Sequence, residues 1–597
     1  MQIYDTVDNY FMPTDIEMTP FVKMLWPFLK TEKKFLIFGF LLMGIATVVS
    51  LLSPYLTIGL MNQVLVPLQN HQHVRVGQVF YYLTAFFVIA LCTWLFTWAQ
   101  TYVLAITSEK VTKNLRMHGF RHILNLSLDF YNHRRKGDLI TRIGQDTDRL
   151  NIFIATKLVV FIHDIVLFAI TLGFVFSINK ELGWYTIIPI PIILILSTLL
   201  KNKLNFLFEQ CNRVWSQVIN VLTETIFGIR LIKCFAKEAR FITQFEKINQ
   251  KNLVINNLMN RIWAFFSPTT VFITDLGVLL VWGMGIRLMW QHQINLGVLT
   301  GFIAYSNKLY SRIESLSAFF EDYRRANVYL KRIFDLLNKT STIHDTLTPV
   351  PIPQVDGRID IKKVNFSYNN HQVMFDVNLT ILPGEHVGFV GLSGAGKSTL
   401  MNLICRFYDP DTGGIFLDNI NIKDFSFKDY RNILGVVLQE SYLFYGTIAD
   451  NIRFANPHAS FEEIMQAAKY ANAHEFILRQ PLGYDTLIQE NGSSLSGGEK
   501  QRIVIARTIL SDPKILLLDE PTAAVDGVNE YKIQEALKFL THKRTTIVIS
   551  HRLSSLKSFD KLVMVDKGRV VEVGSHQELM ALKGCYYHFY QSYAKLF

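Results

Sequence analysis

Residues 391–399 spell G-x-x-x-x-G-K-S followed by threonine. Glycines at these spacings let the backbone curl so that successive N–H groups point at one anion. A lysine closing such a loop reaches terminal phosphate oxygens, and the serine after it can ligand Mg²⁺ through its hydroxyl. Ser393, Gly394, Ala395, Gly396, Lys397, Ser398 and Thr399 are therefore the candidate phosphate-binding set. Downstream, the apolar run 515–518 ends in Asp519 and Glu520. An apolar strand ending in aspartate is the usual partner of a phosphate loop. Asp519 would hold Mg²⁺, and Glu520 stands where a base for the attacking water belongs. Together these residues read as machinery for hydrolysing a nucleoside triphosphate.

Such chemistry needs elements that hold it in place. Residues 385–390 form a short apolar run fit for a buried strand, and 400–407 read as a helix, so the loop falls between strand and helix. The domain around it is expected to span 355–597 with an α/β architecture. Ile359, Ile361, Val364, Phe366 and Tyr368 suggest an edge hairpin; 414–417, 434–438 and 545–550 read as strands, and 461–480 as helical. Residues 494–502, Ser494-Leu495-Ser496-Gly497-Gly498-Glu499-Lys500-Gln501-Arg502, open a helix that runs through Leu510.

The first half of the chain has a different character. Of 597 residues 50% are hydrophobic, and the long apolar runs fall before about residue 340. Six segments, about 34–66, 79–106, 155–178, 182–204, 264–287 and 295–320, each reach the roughly 20 residues needed to cross a bilayer. The last is the most polar, with Asn307, Lys308, Arg312 and Glu314 in its second half. The net charge of +11 invites a nucleic-acid reading. However, the excess sits in loops beside apolar segments: nine Lys/Arg lie in 107–156 and ten in 201–261, while the other connections are nearly uncharged. By the positive-inside rule the two long basic loops are cytosolic, and so are both termini. No nucleic-acid partner is expected. Each long loop reads as membrane helices extended into the cytosol, with turns near 126–137 and 218–228. A segment at 1–33, with apolar 21–29 as a short surface helix, precedes the six-helix transmembrane domain (34–320). A charged linker helix at 321–354 follows it. The five cysteines are scattered, with no metal or disulfide spacing.

Two acids, Asp164 and Asp275, lie inside predicted spans, and His163 adjoins the first. A charge at that depth costs roughly 2.5–3.5 kcal/mol, so neither is expected to face lipid. Each either bonds a neighbouring helix or borders a cavity. In the second case, with Phe161, Phe168, Phe272 and Trp282 nearby, they would favour amphipathic cations.

Leu495-Ser496-Gly497-Gly498-Glu499 resembles the signature sequence of ATP-binding cassette (ABC) proteins, and it precedes the Asp519-Glu520 strand as in that family. Gln439 resembles the family's glutamine loop, which implies a place beside the metal and the attacking water. Asp526, in Ala524-Val525-Asp526, resembles the loop facing the opposite subunit, and His551 resembles the switch histidine. Tyr368 falls where the family places an aromatic under adenine. In the membrane half, Phe130-Tyr131 with residues 137–142, and residues 223–233, are similar to the two cytosolic loops of ABC exporters. Departures are Pro521 for a usual alanine, Asn491 for a common arginine, and Arg312 where many members carry proline.

The resemblance implies an exporter-type half-transporter using ATP and Mg²⁺, embedded in a bacterial inner or plasma membrane with its ATPase domain in the cytosol. It also implies a homodimer in which each ATP lies between the phosphate loop of one chain and Ser496, Gly497 and Gly498 of the other. The substrate would be a hydrophobic or amphipathic small molecule, lipid or peptide. Half of a heterodimer, or a channel on the same scaffold, stays open.

Overall fold

The computed structural model describes residues 18–594, leaving aside 133, 135, 353–354, 370, 440, 490–491, 493, 522–526 and 551–552. The chain divides into two compact units. One comprises residues up to Leu124 together with Arg135–Lys339; the other comprises Asn125–Arg134 together with residues from Thr340 onward.

The first unit is helical. Among the described residues five helices are long and apolar enough to cross a membrane: Lys33–Gln69, Val76–Leu124, Gly137–Ile178, Lys180–Leu200 and Glu238–Trp290. The sixth apolar segment, expected as one span over 295–320, is instead a 15-residue helix, Leu296–Tyr310, followed by a 25-residue helix, Ile313–Leu337. Polar residues explain the break. The Arg312 N–H bonds the carbonyl of Leu309, a tightened last turn, and the Ser315 hydroxyl oxygen lies 2.8 Å from the Arg312 carbonyl. The short helix is the centre of the bundle: Leu299, Phe302, Tyr305 and Leu309 are fully buried. Small residues bring its neighbours close, with Gly285 against Leu299 and Gly301 against Ile58, as packing between apolar helices requires. The Tyr305 hydroxyl donates to the Leu51 carbonyl at 2.6 Å.

Two helices of 49 and 53 residues, Val76–Leu124 and Glu238–Trp290, run about 74 and 80 Å, far beyond a ~30 Å hydrocarbon core. Their length leaves room for the extensions expected of the two long basic loops. The second turn comes later than expected: Pro189–Phe227 is unbroken, and a six-residue helix, Ile229–Cys234, makes the turn. The amino-terminal helix Met18–Thr31 is present, with Trp26 exposed. Phe21 and Leu25 are buried against Leu115, Phe153, Phe319, Tyr323 and Leu330.

The second unit holds the ATPase elements. Its six-stranded sheet runs Arg569–Gly574, Lys561–Asp566, His386–Val390, Thr545–Ile549, Ile515–Asp519, Leu434–Val437. The inner pairings are parallel; the first strand of that order is antiparallel to its neighbour. A separate four-stranded antiparallel sheet contains the expected hairpin, Ile359–Tyr368 paired with His371–Ile381. A helical region with Phe461–Tyr470 and Gly497–Leu510 packs its own apolar cluster around Ile464, Ala468, Ile503 and Ile505. The strands predicted at 414–417, 434–438, 515–518 and 545–550 appear as Thr412–Leu417, Leu434–Val437, Ile515–Asp519 and Thr545–Ile549.

Candidate active site

Parallel strands in this order share one carboxyl edge, and ligands bind at that edge in open α/β sheets. Val390 leads into the phosphate loop, Val437 into Gln439, Asp519 into Glu520, and Ile549 toward position 551. Four stretches scattered over more than 150 positions of sequence are thereby delivered to one rim of the sheet.

The loop itself is shaped by its glycines. Gly391 has φ +148°, and a Cβ there would come within 2.2 Å of the Val565 carbonyl oxygen. Gly394 has φ +80°, a region that L side chains rarely adopt, although nothing crowds it. Helix Lys397–Ile404 starts where the loop ends, so its unpaired N–H groups and dipole favour an anion there. Lys397 is buried, and its ammonium donates to the carbonyls of Gly391 and Leu392, both at 2.9 Å. Burial pushes its pKa down, and the negative charges of Glu520 and Asp519 oppose that. Ser393, Gly394 and Ser398 are exposed, while Ala395 and Thr399 are buried.

On the next parallel strand but one, Asp519 and Glu520 end the sheet half-buried. Glu520 has φ +47°, unusual for a residue with a side chain, and its N–H donates to the Ile549 carbonyl at 2.9 Å. The Gln439 amide donates to Glu520 Oε2 at 2.9 Å. Two groups assigned to the same reaction thus touch, and the strained backbone turns the glutamate out of the strand.

Ser496 caps helix Gly497–Leu510. It accepts from the Glu499 N–H at 3.3 Å, and its own N–H donates to Glu499 Oε2 at 2.9 Å, a capping box. Leu495 beneath is buried, whereas Ser496 and Gly497 are exposed. The signature therefore presents a helix N-terminus outward.

Family models match both halves of the chain: the ABC transporter transmembrane region over residues 36–313 and the ABC transporter domain over 374–523. Curated multidrug export ATP-binding/permease proteins, named as putative, from two strains of Staphylococcus aureus (bovine RF122 and NCTC 8325) are each 35% identical over 561 residues. The alignments cover 93% of this chain and 96% of theirs. A bacterial Atm1-family ABC exporter, solved with ATP bound, superposes with a TM-score of 0.80 at 26% identity, over 94% of this chain and 98% of that one.

The chain belongs to the ABC transporter family. It is an ATPase-coupled membrane transporter, a multi-pass helical domain fused to an ABC nucleotide-binding domain.

For this ABC transporter the remaining predicted residues divide as follows. Tyr368 ends its strand half-exposed, its ring edge-on to Phe366 at 4.7 Å and to Tyr408 at 5.1 Å. Asp526 and His551 lie outside the described residues. The intramembrane residues do not form one cavity wall. Asp164 is 0% exposed: Ser315 Oγ donates to it, Arg312 Nη1 lies 3.7 Å away and His163 Nδ1 3.4 Å away. Its charge is answered inside the helix bundle. This corrects the cavity reading of Asp164 and its pairing with Asp275, which is exposed.

Two residues of the nucleotide-binding unit escaped the sequence reading. Gly568, in the turn between the last two strands, donates its N–H to the Ala395 carbonyl at 2.9 Å and braces the phosphate loop from behind. Tyr408 supports Tyr368 and is 5% exposed. Nothing in local spacing marks either one; a Gly in Asp566-Lys567-Gly568-Arg569 reads simply as a hairpin turn.

Proposed function

We propose that this transporter is a homodimeric exporter of a hydrophobic or amphipathic compound, driven by ATP at two sites shared between the chains. The curated relatives are named as multidrug exporters, and that supports the substrate class. The observation that carries the shared sites is the outward-facing signature: Ser496 and Gly497 stand exposed at the start of a 14-residue helix, a terminus suited to the phosphates of a nucleotide held by another chain.

Each chain's own residues do the following work. The phosphate loop and the start of helix Lys397–Ile404 bind the phosphates, and Lys397 turns from the Gly391 and Leu392 carbonyls to a phosphate oxygen. Tyr368 stacks on adenine. Ser398, Gln439 and Asp519 fit the oxygen-ligand chemistry of Mg²⁺, which when bound neutralises charge on the phosphate oxygens. Glu520 takes the proton of the attacking water, oriented by the Gln439 amide. By the family resemblance Asp526 and His551 would also serve this site. ATP draws the two nucleotide-binding domains together, and the helix bundle alternates between inward- and outward-open states. Asp275, exposed on helix Glu238–Trp290, would be the acid that meets a cationic ligand.

Mixing decides whether the sites are shared. A Lys397→Ala chain and a Ser496→Arg chain are each expected to be inactive. In a mixed dimer one site carries both defects and the other carries neither. Recovery of ATPase activity on mixing, with heterodimers verified by two affinity tags, is the expected result. Verified heterodimers with no recovery would overturn independently firing shared sites.

A further inference from the structure

The chain passes from the helical unit to the nucleotide-binding unit after Lys339. Among the described residues no helix or strand lies between Leu337 and Ile359. Yet this irregular stretch is fastened at three points to one lobe of the nucleotide-binding unit. Arg406 Nη2 donates to the His344 carbonyl at 3.2 Å. Asp345 Oδ1 accepts from the Phe427 N–H at 2.9 Å, and the Val350 N–H donates to the Asp424 carbonyl at 2.9 Å. Thr342 bonds Ser127, a residue of the helical domain's first loop by sequence, so the first tie to the lobe itself falls at His344.

Arg406 is the unusual member of this set. It is 2% exposed, and a guanidinium keeps its proton, so its buried N–H groups need acceptors. Nη1 has the carbonyls of Ile422 and Phe425 at 3.0 and 2.9 Å, and the Phe427 ring lies 4.4 Å away. Among the described residues the acceptor for Nη2 is the His344 carbonyl, in the stretch that joins the two units. A detached stretch would leave that donor buried without a partner, so Arg406 favours the docked one. Arg406 also stands just past helix Lys397–Ile404, which starts at the phosphate loop, with φ +51°.

We propose that Arg406 is a positioning residue that straps the joining stretch to the lobe 422–427 and so takes the slack out of the tether between the two units. With the strap in place the stretch free of the lobe is 340–343, four residues with an extended reach of at most about 14 Å. With His344 and Asp345 released it runs through 349, ten residues and about 35 Å. A loose tether absorbs a displacement smaller than that difference; a short one delivers it to helix Ile313–Leu337. The delivery rests on the reading that nucleotide moves this domain against the helix bundle, whereas the strap itself is tested without it.

Hydrogen exchange on the full-length protein in lipid nanodiscs follows the strap and the helix together. Without nucleotide, Arg406→Leu and Asp345→Ala are each expected to speed exchange over 343–350 by about fivefold or more. Asp345 is exposed, so its variant serves even where Arg406→Leu fails to fold. Trapping Mg-ATP with vanadate is expected to change exchange in helix Ile313–Leu337 by about threefold or more in the wild type, and by much less in either variant. A third variant leaves the strap intact: six glycine and serine residues inserted between Lys339 and Thr340 add the slack directly. It is expected to reproduce the muted helix response while 343–350 stay slow and nucleotide affinity is unchanged. A defect confined to the surroundings of Arg406 would not give that result. Unchanged exchange over 343–350 in both substituted variants would overturn the strap. A full helix response in the insertion variant would overturn slack as the quantity that Arg406 controls. In the wild type, a response elsewhere in the helical unit but not in this helix refutes the tether as the route, and no response anywhere in that unit refutes the nucleotide-driven movement itself.

Discussion

At the scale of single residues, Glu520 is the position where local geometry and chemistry meet most closely. Its φ of +47° is an arrangement that a side chain tolerates only when its surroundings impose it. Here the Glu520 N–H is tied to the neighbouring strand and its carboxylate to Gln439. Glu520→Gln keeps the shape and removes the base. ATP affinity is expected to persist while steady-state turnover falls by roughly 10²–10⁴. A purified variant hydrolysing ATP near the wild-type rate would show that another group takes the proton. Asp164 teaches the complementary lesson. Its depth within an apolar segment correctly excluded a lipid-facing role, but its partner Ser315 lies 151 positions away, just beyond a helix break. Sequence shows that a buried acid needs a partner; only the packing of helices shows which one.

At the scale of elements, the phosphate loop depends on what lies behind each glycine. At Gly391 an added methyl group meets the rigid Val565 carbonyl at 2.2 Å, whereas at Gly394 it meets nothing within 4 Å. Both have positive φ, which costs a side chain about 1–2 kcal/mol. Gly394→Ala is therefore expected to weaken ATP binding by about five- to thirtyfold, and Gly391→Ala by more, because backbone must shift as well. Titration with a fluorescent ATP analogue ranks them; equal affinities would show that the loop yields at Val565. The same contrast explains what the sequence disclosed. The loop, its strand and its helix are contiguous, so motif and context could be read together, and the strands ending at Asp519 and Ile549 were legible from short apolar runs. The brace from Gly568 is a contact between distant turns and leaves no local pattern. The helix break after Tyr310 and the late turn at Ile229–Cys234 were misplaced because helical periodicity continues through both, with no proline or glycine to mark the first.

At the scale of the whole molecule, the second cytosolic turn carries a surface that one chain leaves open. Ile226, Phe227, Leu231 and Phe235 are 67%, 87%, 65% and 65% exposed. They lie on the far side of a basic loop that the charge distribution places in water, so no bilayer covers them. Four such residues within ten positions form a contiguous apolar tip, which soluble surfaces leave uncovered only where another surface meets it. In the homodimer proposed above that surface belongs to the second copy, and two-fold symmetry makes every such contact count twice. Fully burying one phenylalanine side chain is worth about 1.5–3 kcal/mol. Replacing both Phe227 and Phe235 with aspartate removes that gain and adds two charges to be desolvated. The double variant is expected to bind the fluorescent ATP analogue as the wild type does, since the phosphate loop lies in the other unit. Its ATPase activity in nanodiscs is expected to fall at least tenfold, with a smaller dimeric fraction in cross-linking. Phe227→Leu with Phe235→Leu should restore both. Wild-type activity and dimer content in the aspartate variant would mean that something other than a second copy covers this tip.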